Sequence, residues 1–390
     1  MKKIYMDHAA TTPVDKRVFE VMRPFFSDKF GNASSIHAIG QEASDALEKS
    51  RKKLASVLNA DPAEIIFTSG GTESNNFALK GTAFANRKKG KHIITTKIEH
   101  DCVLNSAKWL ERQGFDVTYL PVDRYGLVDL NELEKSIRKD TILISVMHAN
   151  NEIGTIEPIE DIAKIASERN IYFHTDAVQT TGKLKIDVKR LNVDMLSISS
   201  HKLFGPKGVG ALFVRSGTKI DALLHGGGHE RGMRSGTENV AGIVGFAEAV
   251  KIADKERERE MPRIAKMRDK LIKEILDNIP DSYLTGHPKK RLPINASFYF
   301  KFIEGESLIL KLDDKGIEAS TGSACSSKSL KPSHVLLATG LKPEDAHGSL
   351  RLTLGKDNTT EEIDYVIKSV SEAVEELRKI SPFKKSFEKV

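Results

Sequence analysis

The sequence predicts an α/β fold, a mostly parallel seven-stranded sheet flanked by helices, together with a smaller α+β domain. Three observations predict it. Seven short apolar runs between about residues 60 and 215 alternate with helix-like stretches. A long helix-compatible stretch follows, from about residue 239 to 278. The 390 residues also exceed what one hydrophobic core ordinarily holds, so two domains are expected.

The apolar runs occupy 64–68, 92–96, 117–120, 141–146, 171–175, 195–199 and 210–214. Each is short and rich in Ile, Val, Leu, Phe or Thr, as buried strands are. The last two lie close together around the turn formers Gly205-Pro206-Lys207-Gly208, which predicts an antiparallel pair closing one sheet edge. The stretch 239–278 is expected to bridge the two domains. We place the large domain at 15–262 and the small one at 1–14 plus 263–390. The small domain would hold strands at 296–300 and 349–353 and a closing helix at 361–377, with Thr359 or Thr360 as N-cap.

Composition narrows the function classes. With 39% hydrophobic and 29% charged residues the chain reads as an ordinary globular protein. No apolar run approaches the ~20 residues of a membrane span, and residues 1–8 lack a signal peptide's apolar core, so a cytoplasmic protein is expected. The net charge of +6, from 60 basic and 54 acidic residues, is dispersed through mixed-sign stretches such as 255–260. A nucleic-acid binder concentrates its charge and interleaves aromatics with it, so no nucleic acid is expected. Two cysteines, Cys102 and Cys325, exclude a disulfide framework and a cysteine-only metal site. Cys102 reads as a packing residue.

Polar clusters follow the strands, and ligands of such sheets bind at the carboxyl ends of strands. After 64–68 comes Thr68-Ser69-Gly70-Gly71-Thr72-Glu73-Ser74-Asn75-Asn76, either a plain glycine turn or a phosphate cradle of backbone amides with the Thr72 hydroxyl. It is not a Walker loop, which ends in Gly-Lys-Ser/Thr. Glu99-His100 follows the next strand, where a histidine can stack on a flat cofactor or shuttle a proton. Asn150-Asn151 offers amides to a carboxylate or ring oxygen. Asp176 ends the run at 171–175, with Gln179 one turn on, and a carboxylate there can hold a protonated pyridine nitrogen. Lys202, in Ser199-Ser200-His201-Lys202, sits where a Schiff-base lysine is placed. In that order the residues describe a site for pyridoxal 5'-phosphate (PLP).

The chain resembles the cysteine desulfurases of the NifS/IscS type nearly end to end. The resemblance rests on Tyr5-Met6-Asp7-His8-Ala9-Ala10-Thr11-Thr12-Pro13, Gly31-Asn32-Ala33-Ser34-Ser35-Ile36-His37, the clusters above, Arg234-Ser235-Gly236-Thr237-Glu238-Asn239, Gly322-Ser323-Ala324-Cys325 and Ser349-Leu350-Arg351. It implies a fold-type I PLP-dependent transferase, a homodimer whose site lies near the subunit interface. Lys202 would carry the Schiff base and move the Cα proton, Asp176 would pair with the pyridinium, Gln179 with the ring oxygen, and His100 would stack on the ring. Gly71, Thr72, Ser199 and His201 would hold the phosphate, joined by Thr237 from the other subunit. Asn151 and Arg351 would bind the carboxylate of L-cysteine. Cys325, in a small-residue loop at about 319–332, would take the sulfur as a persulfide, with Lys328 favouring the thiolate. The sulfur would pass to an iron–sulfur scaffold or another acceptor, and Cys325 is the candidate transient ligand to a shared [2Fe-2S] cluster. An aminotransferase or a selenocysteine lyase is the alternative on this fold, and an aminotransferase needs no thiol. The chain carries His229 where many such relatives carry glutamine, and Thr237-Glu238-Asn239-Val240 is closer to the nitrogenase-associated branch.

Overall fold

The computed structural model describes residues 3–322 and 332–381. Its strands are β1 (Ile4–Tyr5), β2 (Ile65–Thr68), β3 (His92–Thr96), β4 (Asp116–Leu120), β5 (Thr141–Ser145), β6 (Tyr172–Asp176), β7 (Met195–Ser199), β8 (Gly210–Val214), β9 (Ser282–Leu284), β10 (Asn295–Phe300), β11 (Ile317–Glu318) and β12 (Ser349–Thr353). Seven of them form one sheet in the order β2-β8-β7-β6-β5-β3-β4. β2, β3, β5 and β7 are buried at every position, because helices cover both faces of the sheet.

β7 and β8 pair antiparallel, as their short connection predicts, but they do not close an edge. β2 pairs antiparallel with the far side of β8, matching Ile65 to Phe213 and Thr68 to Gly210. The edge expectation is therefore corrected. β2 occupies that edge, and its partner lies too far along the chain for local sequence to signal the pairing. Two antiparallel steps bring β2 back to the direction of β7, so Thr68, Thr96, Ser145, Asp176 and Ser199 all end at the same side of the sheet.

A second apolar core lies around the antiparallel sheet β12-β10-β9 and the parallel pair β1-β11. Helix Val240–Asn278 starts at Asn239 and runs through Pro262. It gives Ile243, Phe246, Ala249 and Val250 to the first core and Ile264, Met267, Leu271 and Ile275 to the second. The last helix, Thr360–Ile380, is capped by Thr359 in a capping box with Glu362, which settles the N-cap. No helix among the described residues is long and apolar enough to cross a membrane.

One buried ion pair fastens the segment after β8 to helix Ala38–Leu58, beside β2. Arg51 and Glu230 meet through two hydrogen bonds of 2.8 Å, with side chains only 4% and 3% exposed. Glu230 also accepts from the Phe67 amide at 2.8 Å, and Arg231 donates to the Ile65 carbonyl at 2.6 Å. Both residues hold left-handed backbone, φ 48° and 57°, which costs roughly 1–2 kcal/mol each and must be offset by these bonds. Arg51→Ala would leave Glu230 as an unpaired buried charge. We expect a stability loss of about 3–5 kcal/mol, read as a lower urea midpoint. A loss below about 1 kcal/mol, the size of an exposed pair, would contradict this role.

Candidate active site

Four chain turns meet at the carboxyl ends of the sheet. At the end of β2, Gly70 takes φ +151° and Gly71 opens a helix that continues through Phe77–Gly81 and Thr82–Asn86. A Cβ on Gly71 would lie 2.8 Å from Val178 Cγ2 and 3.5 Å from Ser199 Cβ. A side chain there would force Val178 to shift, so the turn after β6 packs closely on this backbone, with the end of β7 in contact. Glu73 accepts from the Ser69 amide at 2.8 Å and is gripped by Arg234 at 2.8 and 3.1 Å, which stiffens the loop.

Asp176, at the end of β6, is almost fully buried. One carboxylate oxygen accepts from the Val178 amide at 2.9 Å and the other from Asn75 Nδ2 at 2.6 Å. Burial pushes its carboxyl up, and the Val178 bond and the nearby His100 and Lys202 oppose that. A protonated ring nitrogen against it would favour the ionised form further. The same Asn75 Nδ2 reaches Cys102 Sγ at 3.1 Å, and Cys102 Sγ lies 3.0 Å from His100 Nδ1. His100 caps helix Asp101–Arg112 by accepting from the Cys102 amide at 3.2 Å. Cys102 packs against the apolar cluster on this face of the sheet, as expected, and also joins Asn75 to His100.

Gln179 and Lys202 converge on one carbonyl. Gln179 Nε2 donates to Ala9 O at 3.0 Å, while Lys202 Nζ donates to Ala9 O at 2.5 Å and Ala10 O at 2.6 Å. His201, next door, meets Thr11 Oγ1 at 3.1 Å. Burial, then the Lys202, Lys207 and Lys183 cations, hold its imidazole down to about 4, so it is neutral at pH 7. Lys183 is buried and donates to the Lys202 carbonyl at 3.2 Å, and burial and the Lys202 charge push its ammonium down to about 7.

Arg351 on β12 comes to the same side. It donates to Asp7 Oδ1 at 2.8 Å, to the Asn151 carbonyl at 3.1 Å and to the Gly322 carbonyl at 3.3 Å. Its Nε is buried without a partner. Asn150, beside Asn151, is fully buried and shapes the turn through Ile98 O, Glu152 N and Ile153 N.

Of the residues expected from sequence, Gly71 and Ser199 meet, Gln179 and Lys202 share Ala9, Asn75 joins Asp176 towards His100, and Asn151 meets Arg351. Thr72 follows Gly71 in the same turn. Thr237 is exposed, and no hydrogen bond among the described residues ties it to the others. Cys325 and Lys328 lie outside the described residues. Sequence reasoning missed Asn75, Asp7 and Lys183. Asn75 stands inside the glycine-rich motif, four residues after Gly71, so helix periodicity was its available signal. Asp7 carried none, because its pairing with Arg351 spans nearly the whole chain.

These residues fit PLP. Gln179 Oε1 and Asn75 Oδ1 are buried polar atoms without partners, on side chains whose amide nitrogens bond Ala9 O and Asp176, and the Gly70-Gly71 turn opens a helix at the same end of the sheet. A flat polar ring bearing a phosphate answers both features.

Comparison with known proteins agrees. The profile of the family described as "Aminotransferase class-V" matches residues 4–366. A protein named "Cysteine desulfurase IscS" from Dictyoglomus turgidum is 55% identical over 386 residues, 99% of this chain and 98% of that one. One of the same name from Methanosarcina thermophila is 58% identical, covering 98% and 94%. Among solved structures, a "NIFS-LIKE PROTEIN" superposes with TM-score 0.91 at 43% identity, over 96% of this chain and all of that one. A structure titled "SspA in complex with cysteine" superposes with TM-score 0.80 at 40% identity, over 92% and all.

Proposed function

The chain belongs to the aminotransferase class-V family and is a PLP-dependent cysteine desulfurase, and on that footing we propose how its residues divide the reaction. PLP, when bound, supplies an electron sink for the bonds at the substrate's Cα. The amides at Gly71 and Thr72, with Ser199 and the neutral His201, hold its phosphate, and Thr237 of the partner subunit completes the cradle in a homodimer. Asp176 holds the ring nitrogen in its protonated state, fixed by Asn75 and the Val178 amide. His100 covers the ring and Gln179 bonds the ring oxygen.

Lys202 anchors the cofactor and takes the proton from the substrate's Cα at Nζ. The carbonyls of Ala9 and Ala10 orient that amine. Arg351 and Asn151 bind the carboxylate of L-cysteine, and Asp7 holds the guanidinium in place. The Cys325 thiolate attacks the substrate's sulfur. An S–S bond forms as the C–S bond breaks, its electrons return to the carbon skeleton, which is protonated, and L-alanine leaves a persulfide behind. The persulfide serves iron–sulfur cluster assembly or another acceptor in the cytoplasm. Cys325 would be the protein's ligand to any [2Fe-2S] cluster shared with a scaffold. Residues 15–262 form the PLP-binding domain, and 1–14 with 263–390 the domain that carries Cys325.

The observation that carries this reading is the convergence of Lys202 and Gln179 on Ala9 while Asn75 holds Asp176 beside His100. The test is incubation of PLP-loaded protein with L-cysteine, measuring alanine together with sulfur on the Cys325 peptide. Alanine with one added sulfur at Cys325 supports the assignment, and alanine with the sulfur lost only as free sulfide counts against it. Arg351→Ala removes charge-assisted bonds worth about 1.5–3 kcal/mol, so KM for cysteine should rise roughly 10- to 100-fold. An unchanged KM would move carboxylate binding elsewhere.

A further inference from the structure

We propose that Glu99 is a positioning residue that fixes His100 and Asp176 relative to each other, and that it does so as a neutral acid. The proposal rests on the reading of His100 and Asp176 as cofactor contacts. Glu99 immediately precedes His100 and is completely buried. Its Oε1 accepts twice, from Thr96 Oγ1 at 2.8 Å and from the Met147 amide at 3.0 Å. The next amide, that of His148, donates to the Asp176 carbonyl at 2.9 Å. Residues 147 and 148 are therefore a two-residue bridge, one end on Glu99 and the other on Asp176. A second tie runs in parallel, from Asn150 Nδ2 to Ile98 O at 2.8 Å. The Glu99 carbonyl also accepts from His334 Nε2 at 3.0 Å. The turn that carries His100 is thus sewn to the turn that carries Asn151 by two side chains, Glu99 and Asn150, and of these Glu99 is the one that reaches the residue next to the Asp176 bond.

The other carboxyl oxygen, Oε2, is buried without a partner. Three groups face this carboxyl. Asp176 on β6 and Glu157, which precedes helix Ile159–Glu168, oppose a negative charge here, while His100 favours one. Glu157 is itself buried, with a partnerless Oε1. Burial pushes Glu99 up to about 8 and Glu157 likewise to about 8, so Glu99 keeps its proton at pH 7. Two hydrogen bonds accepted at Oε1 leave Oε2 to carry that proton. Asp176 then faces the ring nitrogen with no second anion at Glu99, as an ionised partner for that nitrogen requires.

The sign of the pH effect follows. Glu99 ionises in the unfolded chain near the ordinary 4.5 but only near 8 in the folded one, so the folded state holds the extra proton between those values. Stability contributed by this group is lost as pH rises from 4.5 to 8. Glutamine keeps an acceptor oxygen and has no proton to lose. The difference in Tm between E99Q and wild-type holoprotein should therefore move in favour of E99Q as pH rises from 5 to 8 and level off above. A difference that stays flat from pH 5 to 9 overturns the neutral acid.

Positioning has its own readout, the affinity for PLP and the pH midpoint of the bound cofactor's visible band. E99L strands the Met147 amide and the Thr96 hydroxyl, and should weaken PLP binding at least about tenfold and shift the midpoint. E99Q should rescue both. An E99L protein with wild-type affinity and midpoint overturns the positioning role. If E99L does not fold, E99D, one methylene too short to reach Met147 and Thr96 together, carries the same test with the same two outcomes. Failure of the wild-type protein itself to bind PLP would instead sink the cofactor reading on which the proposal stands.

Discussion

Lys202→Ala should lower alanine formation from L-cysteine by about 10²–10⁴, the range spanned by loss of a positioned acid–base group. The geometry makes the variant informative. Lys202 Nζ is bound by the carbonyls of Ala9 and Ala10, on the N-terminal segment, and Gln179 independently bonds Ala9. Removing the amine therefore leaves the Gln179 tie that holds residue 9 against the turn after β6. The proposed phosphate cradle at Gly71 and the Asn75–Asp176 bond belong to other elements and stay intact. The variant should still take up PLP, without covalent attachment, and fail in the proton transfer. Alanine output within tenfold of wild type, measured in a single turnover with saturating PLP, would remove Lys202 from the proton transfer.

Cys325→Ala should abolish sulfur on the protein and cut alanine release by more than about 10³, because a nucleophile's role is not shared by its neighbours. The reasoning is one of chemical supply. The other cysteine, Cys102, is held at 3.1 Å by Asn75 and at 3.0 Å from His100, and the same Asn75 bonds Asp176, the proposed partner of the ring nitrogen. Gly322, three residues before Cys325, is bound through its carbonyl to Arg351, the proposed carboxylate site. Mass analysis of the variant after cysteine turnover decides the matter. Protein without added sulfur is expected, and a persulfide appearing on Cys102 would mean that the two thiols have been assigned the wrong way round.

The strand runs of the large sheet were legible in sequence because fully buried strands leave continuous apolar runs, and each polar cluster behind them stood at a strand end. Asp176, Gln179 and Lys202 were visible for that reason. Helix Val240–Asn278 was legible as a long stretch at about 239–278, although Pro262 lies inside it and the capping role of Asn239 came only with the structure. What stayed hidden was pairing. β2 against β8, Asp7 against Arg351 and Asn75 against Asp176 are contacts between distant positions, and no local period encodes them. The strands β1, β9 and β11 hold only two or three residues, too few to establish an alternation. Glu99 was visible only as a letter beside His100. Its burial and its bond to Met147 are products of the assembled carboxyl end of the sheet, where the turns after β3 and β5 meet.

The pairing of β1 with β11 sets a timetable for synthesis. Ile4 lies opposite Ile317, so 313 residues, 317 minus 4, must be made before the first strand meets its neighbour. At 5–20 residues per second the wait is about 16–60 s. Over that interval Ala9 and Ala10 follow a strand without its partner, and they are held to the Lys202 turn from one side only, where Thr12 bonds the His201 carbonyl and the Phe204 amide. A ribosome-stalled chain ending before residue 317 would then hold a seven-stranded sheet in which Ala9 and Ala10 are tied down on one side only, and PLP should fasten to it more weakly than to the complete chain.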